Sequence, residues 1–169
     1  MWSKDFWVFS AFIIIILGAF VSLKASDLTK DDELNRLVDK LAEPYDLAQS
    51  IKAIIYIESR NGEYPINLQD PACGVTHIHI NTYMKRHKIK NTPFNRNKAC
   101  SDLINSPEWA ILNALQELIF WKQIHCKDSK CTKAQYRNVI KSYNAGWNYK
   151  SKRASEYWQK FTNALKKVK

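Results

Sequence analysis

Apolar residues recur along most of the chain at intervals of three and four, the spacing that brings side chains onto one face of an α-helix. The pattern predicts helices over residues 29–42, 45–60, from Ser106 onward, about 132–143 and 151–169. One stretch, from Val75 to Ile80, alternates ambiguously and also fits a small sheet or hairpin. The sequence therefore predicts an all-α or mainly α fold.

Local signals mark several helix ends. Ser106 followed by Pro107 is a helix start, with the serine as N-cap and the proline at the first helical position. Thr29 and Asp32 stand in a relation like that of a capping box, and Pro44 is expected to end the same helix.

The helix predicted over residues 45–60 carries a carboxyl group in its apolar stripe. Glu58 lies four residues after Ile54 and continues the row formed by Leu47, Ile51, Ile54 and Ile55. Burial disfavours the charged form of a carboxyl group, so a group placed here would keep its proton near neutral pH, as a general acid requires. The alternative is a carboxylate at a frayed helix end, paired with Arg60 or solvated.

Glycine is scarce, and its positions are informative. Beyond residue 25 the chain has only Gly62, Gly74 and Gly146, all after Glu58. Such glycines mark backbone positions that need a positive φ or a close approach to a ligand. Each also fits an ordinary turn or a helix C-cap.

Four segments occur in the order found in a known family. They are Ile57-Glu58-Ser59-Arg60, Gly74-Val75-Thr76-His77-Ile78, Leu103 to Ile111, and Ser142-Tyr143-Asn144-Ala145-Gly146. In order and spacing they resemble the soluble lytic transglycosylase domain, whose fold is related to goose-type lysozyme. The resemblance covers roughly residues 45–150.

The resemblance implies a peptidoglycan lytic transglycosylase. Glu58 would protonate the glycosidic oxygen between N-acetylmuramic acid and N-acetylglucosamine, then act as a base while a 1,6-anhydro end forms. Tyr143 would position Glu58 and the substrate, and Asn144 would shape the cleft that binds the substrate. Ser59 would be a nearby hydrogen-bonding residue in contact with the substrate, or a helix cap. One carboxyl group serves both steps, and neither a cofactor nor a metal is implied.

The second segment departs from the family pattern. The family usually has Leu-Met-Gln after the glycine, whereas this chain has Val75, Thr76 and His77. An imidazole thus replaces the glutamine that lines the sugar cleft in the family. It still donates and accepts hydrogen bonds, which makes a pH-sensitive substrate contact one interpretation and a satisfied polar residue in a turn another.

Two other functions compete with the transglycosylase. A lysozyme-like muramidase needs a second carboxylate to activate water, and Asp70 is the convenient candidate. Its setting, Gln69-Asp70-Pro71, is also typical of an Asx-turn. A protein that binds the cell wall without cleaving it is the other alternative.

The amino-terminal segment predicts export. Phe6 to Leu23 is an uncharged run of 18 residues between Lys4 and Lys24, which fits a signal peptide cut after Ala25 or a membrane anchor. Either places the remainder in the periplasm, free or anchored to the inner membrane. The predicted organisation is an export segment (1–25), an N-terminal helix (26–44), a lysozyme-like domain (45–150) and a basic helix (151–169).

Four cysteines fit an oxidising compartment. Cys126 and Cys131 flank a short polar turn and are favoured as one pair, which leaves Cys73 with Cys100. A zinc site built from cysteines and from His77, His79 and His125 is the rival, although their spacing matches no paired Cys-x-x-Cys arrangement.

The carboxyl-terminal stretch is strongly basic. Residues 150–169 hold seven Lys or Arg against one Glu, in a chain of formal net charge +10. Their apolar stripe predicts a helix that packs on the domain with a solvated basic face, or one that attracts an anionic polymer or membrane surface. Expected partners are peptidoglycan strands, the membrane if the N-terminal segment is retained, and, by the resemblance, a secretion, conjugation or phage assembly. Nucleic acid is not expected.

Overall fold

The computed structural model describes residues 30–126 and 130–168, and within them the protein is mainly helical, as predicted. The helices are α1 (Lys30–Ala42), α2 (Ala48–Ser59), α3 (Ile80–Arg86), α4 (Pro93–Asn105), α5 (Pro107–His125), α6 (Lys133–Ala145) and α7 (Lys152–Leu165). Short 3₁₀ helices cover Glu43–Tyr45 and Gly146–Asn148.

The predicted export segment, Phe6 to Leu23, and Thr29 of the expected helix cap lie outside the described residues. Among the helices that are described, none combines the length and the apolar character needed to span a bilayer.

A small antiparallel sheet follows α2. Its strands β1 (Ile66–Asn67), β2 (Ala72–Cys73) and β3 (Ile78–His79) lie in the order β1-β2-β3. Ile66 pairs with Cys73, and Cys73 pairs in turn with Ile78. The ambiguous stretch from Val75 to Ile80 therefore contains a strand and the first residue of α3.

The helix that carries Glu58 begins later than predicted. Asp46 takes a left-handed conformation with a φ of 55°, which interrupts the helical path and places the start of α2 at Ala48 instead of Tyr45. The predicted apolar face is buried, namely Leu47, Ile51, Ile54 and Ile55. The helix ends at Ser59, because Arg60 is again left-handed.

Side-chain caps define the starts of α5 and α6. The Ser106 hydroxyl accepts the amide of Trp109 at 3.2 Å with Pro107 in the first turn, which confirms that predicted start. Thr132 and Gln135 form a reciprocal capping box before α6. This helix continues to Ala145, two residues beyond the predicted end.

Helices α3 and α4 were not predicted from the apolar pattern. In α4 only Ala99 and Leu103 are buried, so the helix has too few apolar positions for a recognisable stripe. Its start is set by local chemistry instead, since the Thr92 hydroxyl accepts the Asn95 amide and Pro93 opens the first turn.

The basic carboxyl-terminal helix packs on the domain. Helix α7 contacts α2 and α6. Its apolar stripe is buried through Ala154, Tyr157, Phe161 and Ala164, whereas Lys152, Arg153 and Lys160 are exposed. The compact unit that begins at Leu34 thus includes this helix.

Both predicted disulfides are present. Cys73–Cys100 joins β2 to α4, and Cys126–Cys131 closes the connection between α5 and α6. Two disulfides fit an oxidising compartment, which agrees with the expected export of the protein.

Candidate active site

Glu58 lies in the last turn of α2, and each of its carboxyl oxygens faces a different partner. Oε1 accepts a hydrogen bond of 2.7 Å from the hydroxyl of Tyr157 on α7. Oε2 lies 3.5 Å from Nδ1 of His77, which belongs to the turn between β2 and β3. The Glu58 side chain is 20% exposed, so the carboxyl group is held by the protein yet remains accessible from solvent.

The other nitrogen of His77 fixes the protonation pattern of this pair. Nε2 lies 2.8 Å from the carbonyl oxygen of Tyr64. A carbonyl oxygen only accepts, so Nε2 carries a hydrogen, and Nδ1 is the nitrogen that faces Glu58. Two states satisfy the contact: a carboxylic acid that donates to Nδ1, or a carboxylate that accepts from an imidazolium. In both, Glu58 and His77 share one proton.

The surroundings of His77 favour its protonated form. Burial of the ring, which is 8% exposed, acts to lower the pKa of His77. The hydrogen bond with Glu58, the one with the Tyr64 carbonyl and the negative charge of Glu58 together outweigh burial and raise this pKa above its ordinary value. The shared proton is therefore retained to a higher pH than a free imidazole would allow.

The turn that carries His77 requires Gly74. Gly74 has a φ of 82°, a left-handed conformation that side chains disfavour. A Cβ atom there would also lie 2.8 Å from the carbonyl oxygen of Leu103 on α4. The His77 amide bonds the Gly74 carbonyl at 3.1 Å, and His77 itself has a φ of 46°. The tight turn is thus what directs the imidazole towards Glu58.

Ser59 ties the end of α2 to the same turn. Its hydroxyl donates to the carbonyl oxygen of Val75 at 2.7 Å and accepts the amide of Gly62 at 2.9 Å. The residue has no exposed surface. The sequence offered two roles for Ser59, substrate contact or helix capping. In the structure its hydroxyl is buried and bonded to the backbone, so it fixes the relative position of Glu58 and His77.

Tyr143 forms a hydrogen bond with the backbone of the same turn. Its hydroxyl donates to the carbonyl oxygen of Thr76 at 3.2 Å, while the Thr76 hydroxyl donates to the carbonyl oxygen of Ala110 on α5 at 3.1 Å. Burial, followed by the charge of Glu58, raises the pKa of Tyr143, so the phenol remains a donor. Tyr143 therefore holds the residue next to His77 in place.

Tyr157 is a site residue that the sequence did not reveal. Its phenol is buried, and burial together with the charge of Glu58 raises the pKa of Tyr157, so that its hydroxyl donates to Glu58. In the sequence it was one member of the apolar stripe of the basic helix. Its spacing there is that of a core residue and contains no signal of a polar role.

Asp70, the candidate second carboxylate, has its own partners. One oxygen lies 3.2 Å from Nε2 of His79, and the other accepts a hydrogen bond of 3.2 Å from Arg153. The Asx-turn in this hairpin is formed by Asn67, whose side-chain oxygen accepts the amides of Gln69 and Asp70. Asp70 thus links the hairpin to α7.

Asn144 and the candidate zinc ligands are the remaining site residues that the sequence predicted. The side-chain oxygen Oδ1 of Asn144 is buried and has no hydrogen-bond partner among the described residues. Nε2 of His125 lies 2.8 Å from the Ser142 hydroxyl. All four cysteines are held in disulfides, and residues 30–126 and 130–168 contain no group of three potential metal ligands.

Comparisons with known proteins add no family. No family model, curated protein or solved structure matches the chain. A solvent-accessible carboxyl group between a phenol donor and an imidazole that shares its proton is suited to general acid–base catalysis.

Proposed function

We propose that the protein is a peptidoglycan lytic transglycosylase with a lysozyme-like fold. The observation that carries the proposal is the carboxyl group of Glu58, held on one oxygen by Tyr157 and paired on the other with His77. The order of the Glu-Ser, Gly-Val-Thr-His and Tyr-Asn-Ala-Gly segments supports the same conclusion. Further support comes from the mainly helical fold with a small sheet directly after the helix that carries Glu58.

The proposed reaction uses Glu58 twice. As a carboxylic acid it donates its proton to the glycosidic oxygen, the bond from that oxygen to the muramoyl anomeric carbon breaks, and positive charge develops on the sugar. The muramoyl 6-hydroxyl then attacks the anomeric carbon and gives its proton to the Glu58 carboxylate. The products are a 1,6-anhydro end and a free 4-hydroxyl group, and no water is consumed.

The neighbours of Glu58 suit these two roles. The Tyr157 hydroxyl stabilises the carboxylate formed after the first proton transfer, because a hydrogen bond to a charged acceptor is stronger than one to a neutral acceptor. Nδ1 of His77 keeps the shared proton next to the Glu58 carboxyl group between turnovers. A single carboxyl group thereby alternates between acid and base without a second carboxyl group.

The partners of Asp70 favour the transglycosylase over a hydrolase. An inverting hydrolase needs a carboxylate free to activate water. Both oxygens of Asp70 are engaged by cationic or hydrogen-bonding side chains, His79 and Arg153. The muramidase in which Asp70 assists is therefore the second candidate, and the wall-binding protein without activity the third.

The predicted export segment and the disulfides support a cellular setting for the proposal. The protein would act in the periplasm, free or anchored to the inner membrane by residues 1–25, where its substrate lies. The two disulfides support that compartment. A local opening of the wall for a secretion, conjugation or phage assembly is the role implied by the resemblance.

Mass spectrometry of digested peptidoglycan tests the proposal. Purified protein incubated with peptidoglycan sacculi should release fragments that end in 1,6-anhydro-muramic acid, each one water lighter than a reducing end. Fragments with free reducing ends would show a hydrolase. Binding to sacculi without any released fragment would show a wall-binding protein.

A further inference from the structure

Trp147 is a large aromatic side chain that is exposed at the surface. It is 70% exposed and lies in the short 3₁₀ helix Gly146–Asn148, directly after the Tyr-Asn-Ala-Gly segment. Gly146 has a φ of 57°, and this conformation turns the chain out of α6. The exposed aromatic face of Trp147 is therefore open to contact by a ligand.

The Trp147 ring packs against a cluster of other aromatic rings. It meets Trp121 of α5 edge to face, with centroids 5.0 Å apart, and Trp121 is buried at 3% exposure. Trp121 donates through Nε1 to Glu117 at 2.6 Å and stacks with His125, whose ring in turn meets Tyr149. The exposed ring is therefore held by packing, and binding a ligand would cost little side-chain entropy.

A second strongly exposed ring lacks this support. Phe94 on α4 is 75% exposed, and the ring contacts of the described residues include none to Phe94. The two side chains thus have similar exposure, while only Trp147 rests on a buried aromatic cluster.

Trp147 is connected to the proposed active site by a short path. Tyr143, four residues earlier, holds the carbonyl group of Thr76, and the next residue, His77, faces Glu58. Four residues of chain span at most about 14 Å. One polymeric ligand that passes Glu58 therefore lies within reach of Trp147.

The surroundings of Trp147 are polar, which fits a sugar better than a protein partner. Asn148 and Lys150, which lie next to the ring in sequence, are both exposed. A pyranose presents C–H groups on one face, which are attracted to the negative face of an aromatic ring, and hydroxyl groups at its edge, which need polar partners. An aromatic floor with hydrogen-bonding groups around it meets both needs.

We propose that Trp147 is the stacking floor of a subsite for one N-acetylhexosamine of the glycan strand, with the Trp121 cluster as its support. The inference rests on the proposed function, since it assigns the substrate of the same site. It adds a binding residue that lies outside the proton-transfer machinery.

Binding of a defined oligosaccharide tests this subsite separately from catalysis. The probe is the β-1,4-linked hexamer of N-acetylglucosamine, titrated into full-length Glu58→Gln protein by isothermal calorimetry so that cleavage does not interfere. Adding Trp147→Ala should raise Kd about tenfold or more, as for the loss of one central aromatic anchor. Trp147→Phe should recover a large part of the affinity, because a smaller aromatic face remains.

Phe94→Ala in the same background is the matched control, and it should leave Kd unchanged. A Kd for Trp147→Ala within twofold of its parent overturns the subsite, and so does an absence of hexamer binding by the Glu58→Gln protein when circular dichroism shows it folded. Cleavage is scored independently on the unmutated chain. If Trp147→Ala loses affinity for the hexamer but the unmutated chain forms no anhydro products, the subsite is retained and the enzyme is rejected. If the unmutated chain forms anhydro products but Trp147→Ala binds the hexamer normally, the enzyme is retained and the subsite is rejected.

Discussion

The hydroxyl of Tyr157 donates a hydrogen bond of 2.7 Å to Oε1 of Glu58, across 99 residues of sequence. Because Tyr157 is buried in the contact of α7 with the rest of the domain, the basic helix contributes to the proposed site as well as to the core. The basic helix, which the sequence placed outside the lysozyme-like domain, therefore supplies a hydrogen-bond partner of the central carboxyl group.

Removing the Tyr157 hydroxyl should weaken catalysis more than folding. Tyr157→Phe deletes one hydrogen bond to an ionisable group, an interaction worth about 1.5–3 kcal/mol. We expect kcat for release of anhydro fragments to fall by about tenfold to a hundredfold. Tyr136→Phe is the matched control: its hydroxyl is paired with Ser50, away from Glu58. An equal loss of kcat in both variants would show that Tyr157 acts only through stability.

Replacing the carboxyl group of Glu58 should abolish turnover while keeping the fold. Glu58→Gln retains the size of the side chain but cannot donate or take up the catalytic proton. Cleavage of peptidoglycan should fall by about 10² to 10⁴, the contribution of a general acid–base group. Glu63→Gln, a change at an exposed residue of the following loop, should leave activity intact. Near-normal cleavage by Glu58→Gln would remove Glu58 from the mechanism.

The His77–Glu58 pair predicts the direction of the pH dependence. The pKa of His77 is raised, so the shared proton is present at low pH and is lost as pH rises through that raised value. Cleavage should accordingly fall on the alkaline side of the profile. His77→Gln keeps a hydrogen-bonding group but removes the titrating nitrogen, so its alkaline loss should begin at a lower pH.

His79→Gln provides the control for this profile. His79 pairs with Asp70, and its replacement should leave the alkaline limb where it is. The same direction holds for the free energy of unfolding. Because the pKa of His77 is raised in the native state, its contribution to stability is fully present below the ordinary histidine pKa of about 6.5 and is lost as pH rises through the raised value. Identical pH profiles of cleavage for the native chain and His77→Gln would contradict the proton-sharing arrangement.

The two disulfides should differ in their contributions to stability and to activity. Cys73–Cys100 closes a separation of 27 residues and Cys126–Cys131 one of 5. Loop-closure entropy then gives about 3–4 kcal/mol for the first and about 2 kcal/mol for the second. Serine pairs at each bridge, compared by urea unfolding, should show this order.

Activity separates the two bridges further. Cys73 precedes Gly74 in the turn that carries His77, so only the Cys73/Cys100 serine pair should reduce cleavage under conditions in which both variants are folded. Equal cleavage by the two variants would mean that this bridge does not stiffen the site.

Part of the site could be predicted because it depends on local sequence. The apolar row of α2 contains Glu58 at helical spacing, and such spacing fixes which face of a helix a residue occupies. The Ser106–Pro107 helix start is likewise set by neighbouring groups. The favoured cysteine pairing is also present in the structure, and Cys126 and Cys131 are separated by only four residues of sequence.

What the sequence left open depends on contacts between distant segments. The sequence left His77 as either a contact for sugar or a satisfied polar residue in a turn, and the structure shows its two nitrogens facing protein groups, one the Tyr64 carbonyl and the other the Glu58 carboxyl group. Helix α4 escaped prediction because few of its residues are buried, and its position is fixed by the bridge between Cys73 and Cys100.

By itself the sequence determined the helical class of the protein and the face of α2 that holds Glu58, and it favoured the disulfide pairs that the structure contains. The tertiary structure decided which side chains complete the site. Tyr157 has the pattern of a core residue, and only the packing of α7 against α2 brings its hydroxyl to Glu58. Periodicity encodes which residues are buried, whereas the partner of a buried polar group is set by how helices distant in sequence pack together.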